Sequence, residues 1–165
     1  MQDLELIGAG ESFRKELCDR LAECQMLADL PWADIDTLSK YVQAYRVPPA
    51  GAIFSEGEAG DFLCFLLAGR VSILKEDHDG VSQVVATIAA GRSLGEMAVI
   101  DGEKRSASCV AGQEEVLVAM LTRHRFDELV HAFPVLGVKL LQRVARLLSQ
   151  RLRLTSGQLV DYLGH

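Results

Sequence analysis

Gly91-Arg-Ser-Leu-Gly95-Glu96-Met97-Ala98-Val-Ile-Asp-Gly102-Glu-Lys-Arg105-Ser106-Ala107-Ser108 decides the reading of this chain. A glycine places Glu96 at the start of a short apolar turn, and an Arg-Ser-Ala triplet begins nine residues later. Such a turn leaves backbone N–H groups free at a short helix start, where they attract anions. Arg105 adds the fork-shaped cation that grips a phosphate. Glu96 cannot serve a phosphate, because like charges repel. A carboxylate beside an anion fits instead as the acceptor for a sugar hydroxyl. Phosphate, ribose and a small pocket together point to a nucleotide.

Outward from this stretch, residues 50 to 121 break into short β-rich runs. These are Ala52–Phe54, Phe62–Leu67, Val71–Lys75, Val81–Ile88, Ala107–Val110 and Val116–Leu121, punctuated by glycines. Short strands at this spacing indicate a sandwich or barrel. Asp77-His-Asp-Gly80 reads as a hairpin turn. Helical periodicity flanks the β region. Residues 11–26 carry Phe13, Leu17, Leu21 and Met26 on one face. A second helix starts near Pro31, buries Ile35, Leu38, Tyr41 and Val42, and is ended by Pro48-Pro49. Thr122 is the expected N-cap of a helix over 123–133. Pro134 opens a long final helix with one apolar stripe at Leu141, Val144, Leu148, Leu152, Leu159 and Tyr162. A partial second stripe holds Leu136, Leu140, Leu147 and Leu154. One stripe can cover the β body, and the other needs a partner.

Residues 91–108 resemble the phosphate-binding cassette of the cyclic nucleotide-binding domain family, and the resemblance extends over roughly residues 28–155. Tyr45-Arg-Val-Pro-Pro-Ala-Gly-Ala-Ile-Phe-Ser-Glu-Gly57 is similar to the family's opening strand and glycine turn. Phe62-Leu-Cys-Phe-Leu-Leu-Ala-Gly-Arg-Val-Ser-Ile-Leu74 is similar to its apolar hairpin. The resemblance implies a mainly β fold with flanking helices, a jelly-roll β-barrel of the cupin-like double-stranded β-helix type. It divides the chain into an N-terminal helical extension (1–27), the β-barrel (28–133) and a C-terminal lid or dimerisation helix (134–165).

The same resemblance assigns Arg105 to the phosphate and Glu96 to the ribose 2′-hydroxyl. Gly95, Met97, Ala98 and Ala107 then shape the backbone around the ligand, the two alanines being small so that their N–H groups approach the phosphate. Leu94 stands where the family often has phenylalanine, and Lys104 where it often has proline; neither change removes a polar contact. Ser106 bears on base choice, and Arg-Ser-Ala tilts the expectation to cyclic AMP, with cyclic GMP possible. Thr155 and Ser156 are candidates for contact with the base. Counting from Pro134 puts them about one turn later than the family's equivalents, where the ungapped count falls on Arg151 and Leu152.

Composition limits the alternatives. The chain has 165 residues, 49% hydrophobic and 24% charged, which suits one compact domain. No uninterrupted apolar run is long enough for a membrane span, and the N-terminus lacks a signal-peptide layout. A cytoplasmic location without membrane contact is the expectation. Cys18, Cys24, Cys64 and Cys109 form no paired motif, and Cys64 and Cys109 read as buried strand thiols. His78, His124, His131 and His165 are too scattered for a metal site or a metal-dependent cupin-type enzyme. No catalytic triad is suggested, so no enzyme and no metal or cofactor is expected.

The net charge of −6 argues against broad nucleic-acid binding. It is unevenly spread, since residues 134–165 hold five basic residues against Asp161 alone. Arg143, Arg146, Arg151 and Arg153 read as a solvated basic helix face, or as a surface that pairs with an acidic partner. The expected protein is a stand-alone cyclic nucleotide sensor whose final helix moves, with a homodimer or effector protein engaged through that helix. The alternatives are a dimerising scaffold that binds another ligand or none, and the regulatory part of a larger effector.

Overall fold

A computed structural model describes residues 4–7 and 11–163, excepting the side chains of 11, 12 and 161–163. The first helix, α1 (Glu11–Ala22), is followed by a 3-10 turn (Gln25–Leu27) and α2 (Trp32–Ser39). Two antiparallel sheets form the β region. The first has the order β1 (Glu5–Leu6), β2 (Gln43–Val47), β9 (Val116–Thr122), β4 (Phe62–Ala68), β7 (Ser93–Leu94). The second runs β3 (Ala52–Phe54), β8 (Ser108–Ala111), β5 (Arg70–Glu76), β6 (Ser82–Ala89). The short helix α3 (Glu96–Asp101) lies between β7 and β8, and α4 (Arg123–Ala132) and α5 (Pro134–Leu163) follow β9.

Two cores make this a three-layer molecule. Alternate residues of a strand face opposite ways, and β4 uses both faces. Its Leu63, Phe65 and Leu67 pack with Leu17 and Leu21 of α1, Ile35 and Leu38 of α2, Leu129 of α4 and Leu140 of α5. Its Phe62, Cys64 and Leu66 pack with Ile53, Val71, Cys109 and Ala111 of the second sheet. β9 divides the same way, with Ala119 and Leu121 under the helices and Val116, Val118 and Met120 between the sheets. The first sheet is therefore sandwiched, and β4 is apolar throughout because neither face meets water. The sheets face one another without closing into a barrel, which corrects the expectation of closure.

Most elements match the sequence pattern. The β5–β6 hairpin turns at Asp77–Gly80, where Asp77 Oδ1 accepts from the N–H groups of Asp79 (3.0 Å) and Val81 (2.9 Å). Thr122 caps α4, its Oγ1 accepting from Arg125 N–H at 3.2 Å. All four cysteines are free thiols and buried. Burial pushes the Cys64 thiol well up and that of Cys109 up to about 12.

Two further expectations need correction. The second helix does not run on to Pro48-Pro49: it stops at Ser39, and the chain forms β2 before those prolines. The two stripes of α5 do not divide as drawn. Leu136, Leu140 and Val144 are buried together, drawing on both stripes, while Leu141 is exposed. Beyond Arg151 the apolar side chains of the helix lose the body, and Leu152, Leu154, Leu159 and Val160 face solvent. The side chain of Tyr162 lies outside the described residues. No described helix is long and apolar enough to cross a membrane.

Candidate functional site

The turn that opens α3 is built around Gly95. It caps the helix in the left-handed region, at φ 75°, which only glycine enters without strain. A Cβ at this position would also stand 2.4 Å from Arg105 Nη1. Beneath α3, the Cβ of Ala98 faces Gly60, where an added Cβ would sit 2.1 Å away. Ala98 is thus small because α3 lies directly on the loop before β4.

Arg105 enters the same cavity from the far side of the cassette. Its backbone is clamped to the loop after β3: Arg105 N–H donates to Glu58 O (2.8 Å) and Gly57 N–H donates to Arg105 O (2.9 Å). Lys75 on β5 steadies the next residue by donating to Ser106 O at 2.7 Å, and it also pairs with Glu56. The Arg105 side chain is only 4% exposed. Its guanidinium carbon lies 4.3 Å from the ring centres of both Phe54 and Phe62, a double cation–π contact. Nη2 donates to Phe62 O at 2.7 Å and Nη1 to Gly95 O at 3.2 Å. The group has five N–H donors, and Nε is buried without a partner. It forms no ion pair with a described carboxylate. Burial lowers its pKa from the ordinary guanidinium value. An arriving anion would meet both needs at once, a charge partner and an acceptor for the orphaned donor.

Glu96 is 1% exposed. A bare buried carboxylate would be strongly disfavoured, and two groups answer that here. Ser93 Oγ–H donates to Oε1 at 2.6 Å, and Arg151 of α5 donates to Oε2 at 2.9 Å and Oε1 at 3.4 Å. The same guanidinium also donates to Ser93 O at 3.1 Å. Arg151 therefore fastens the final helix to the start of α3.

The cavity enclosed by these elements measures about 160 Å³. Gly95, Glu96, Met97, Ala98, Arg105, Ser106 and Ala107 all line it, as does Arg151. Phe54, Ile73, Ile88 and Leu94 give it an apolar side. Met97, 49% exposed, stands at the mouth. Thr155 and Ser156 are not brought there; they are exposed on α5, past Arg151. A buried cation without an anion among the described residues, a buried carboxylate in the same cavity and an apolar wall suit a small molecule carrying phosphate, hydroxyl and a flat base.

Residues 45–133 match the cyclic nucleotide-binding domain family. The chain belongs to that family. Its fold is shared with the crystal structure of a cyclic nucleotide-binding domain from Methylobacillus flagellatus, with 31% identity and a TM-score of 0.83. That similarity covers 98% of this chain and 90% of the other. The cyclic AMP receptor protein of Thermus thermophilus is 30% identical over 120 residues, which are 73% of this chain and 53% of the receptor. A cAMP-dependent protein kinase regulatory subunit of Yarrowia lipolytica is 32% identical over 110 residues, 67% of this chain and 28% of the subunit. This cyclic nucleotide-binding domain thus spans about half of the receptor and less of the kinase subunit.

Sequence reading found the two charged groups that line the cavity but missed what holds them. Ser93 as a Glu96 partner and the Phe54–Phe62 pair around Arg105 left no spacing signal. Arg151 left one: it occupies the position that an ungapped count from Pro134 reaches.

Proposed function

We propose that this domain binds cyclic AMP in the cavity between α3, the loop before β8 and α5, and signals through α5. The observation that carries this reading is Arg105: buried, packed against the Phe54 and Phe62 rings, with an unpartnered Nε, in the cavity that Glu96 also lines. Arg105 would hold the cyclic phosphate, and Glu96 would accept from the ribose 2′-hydroxyl. Gly95, Met97, Ala98, Ser106 and Ala107 would form the wall around phosphate and sugar. Ser106, exposed beside Arg105, would face the base, where a hydroxyl accepts either purine; the preference for adenine rests on resemblance. The domain would act by binding, without a chemical step.

Signalling would follow from Arg151. A ribose hydroxyl donating to Glu96 shares the acceptor that now fastens α5. Ligand therefore changes how firmly Arg151 is held, and the exposed apolar end of α5 is the part free to respond. This counts as allostery only to the extent that the two helix positions differ in ligand affinity. The apolar residues Leu152, Leu154, Leu159 and Val160 favour the second reading as well, in which α5 joins two copies or an effector protein.

Calorimetric titration of nucleotide-stripped protein with cyclic AMP and then cyclic GMP tests the reading. Micromolar cyclic AMP binding, weakened about 100-fold or more in Arg105→Ala, is the expected result. Absence of binding by both nucleotides would leave the cassette as a fold element and the scaffold reading in its place.

A further inference from the structure

The final helix carries its arginines to a second cavity, on the other side of Arg151 from the nucleotide site. Arg92, Arg143, Arg146 and Arg151 line a cleft of about 170 Å³ between α5, the 3-10 turn and the segment before β7. Among the described residues no carboxylate lines it. In a chain of net charge −6, four converging guanidiniums are not an accident of a basic composition.

Arg143 and Arg92 are held in place by the body, while Arg146 is exposed beside them. Arg143 Nη1 donates to the carbonyls of Met26 (3.2 Å) and Ala28 (2.6 Å). Arg92 donates to the side-chain carbonyl of Gln25, and Gln25 N–H donates to Gly91 O at 2.8 Å, joining the two walls. Neutral oxygens thus position these cations without cancelling their charge. Arg92, Arg143 and Arg146 enter no ion pair among the described residues. Arg146 makes no side-chain hydrogen bond there either. Like charges held together repel, and a bridging anion converts that repulsion into attraction. Guanidinium forks match the oxygens of phosphate, and several of them favour a multiply charged one. The cleft is too small for a folded partner and suits a compact anion.

We infer that this cleft is a second ligand site, which takes a small multiply charged phosphate of the diphosphate class. The inference does not rest on nucleotide binding. Arg151 lines both cavities, so an anion in the cleft competes with Glu96 for its donors and couples the two sites.

The test is calorimetric titration of the full chain with inorganic pyrophosphate at low ionic strength, without nucleotide. Arg146→Glu and Gln150→Glu each put a carboxylate into the cleft at exposed positions that make no hydrogen bond among the described residues. Arg153→Glu makes the same charge change as Arg146→Glu on the same helix, outside the cleft. One-to-one binding is expected in the unaltered chain, weakened at least about tenfold by each cleft variant and within about twofold of unaltered in Arg153→Glu. Melting temperatures near that of the unaltered chain will show that the variants fold. Lack of binding at millimolar pyrophosphate overturns the proposal. Equal losses in Arg146→Glu and Arg153→Glu overturn it in favour of a diffuse field. Loss in Arg105→Ala with binding kept in Arg146→Glu overturns it by placing the anion in the nucleotide cavity.

Discussion

Replacing Arg151 by alanine removes the cation that fastens α5 to Glu96, and its effect can be bounded from the geometry. Two donors to the carboxylate and one to Ser93 O are lost, while Ser93 Oγ–H remains. Exposed ion pairs are worth about 0.2–1 kcal/mol, whereas removing one partner of a buried pair costs about 3–5 kcal/mol. Here the carboxylate side chain is 1% exposed and the guanidinium side chain 43%, so water can reach one partner only. A loss of about 2 kcal/mol follows, between the two limits. For a chain of this length that lowers the melting temperature by about 4–8 °C. Thermal and urea unfolding of Arg151→Ala, Glu96→Gln and the double variant would form a cycle. If the contact is energetic, the double variant loses less than the sum, with a coupling of about 1 kcal/mol or more. Losses that add to within about 0.5 kcal/mol would refute the reasoning, and α5 would then be held by its other contacts with the body.

Gly60→Ala should destabilise by about 1–3 kcal/mol in urea unfolding, because the new methyl meets Ala98 and the Glu103 carbonyl under α3. Thiol labelling of the folded chain at pH 8 should leave Cys24, Cys64 and Cys109 unmodified. Burial pushes the first up to about 11, the second well up and the third up to about 12, and unfolding should release all three. The Glu56 carboxyl is held below its ordinary range, first by its hydrogen bond from Lys75 and then by the backbone N–H of Glu76. A depressed folded-state pKa stabilises above the unfolded value and is lost as pH falls through the folded one. Acid should therefore loosen the Glu56–Lys75 support of the cassette, and Glu56→Gln should flatten the acid limb of a stability–pH profile.

What the sequence disclosed depended on how local each signal was. Strands β3, β4, β5, β8 and β9 stood out because glycines and apolar runs bound them within a few residues. β2 did not: five residues between a helix and two prolines carry too little periodicity to separate from the helix before them. The N-cap at Thr122 was legible because capping is a matter of three residues. Along α5 the apolar pattern continues past Arg151, but the surface it could cover ends there. Only the tertiary packing decides that Leu140 is buried and Leu141 is not. The site divides in the same way. Glu96 and Arg105 lie nine residues apart in one short segment, whereas Arg151 reaches Glu96 across 55 residues. The aromatic clamp on Arg105 joins β3 and β4, and no spacing rule brings Phe54 and Phe62 to one cation.

β4 is a party wall, and both of its sides are occupied. Phe62 presses its ring on Arg105 and gives that side chain its carbonyl, while Leu63, the next residue, is fixed among the helices. A slip of one residue would exchange the two faces, sending Phe62 toward the helices and Leu63 toward the cation. The register of a single strand is therefore what aligns the ligand cavity with the helical layer. The helices and the cassette have no separate foundations; they are set out from the same line of seven residues.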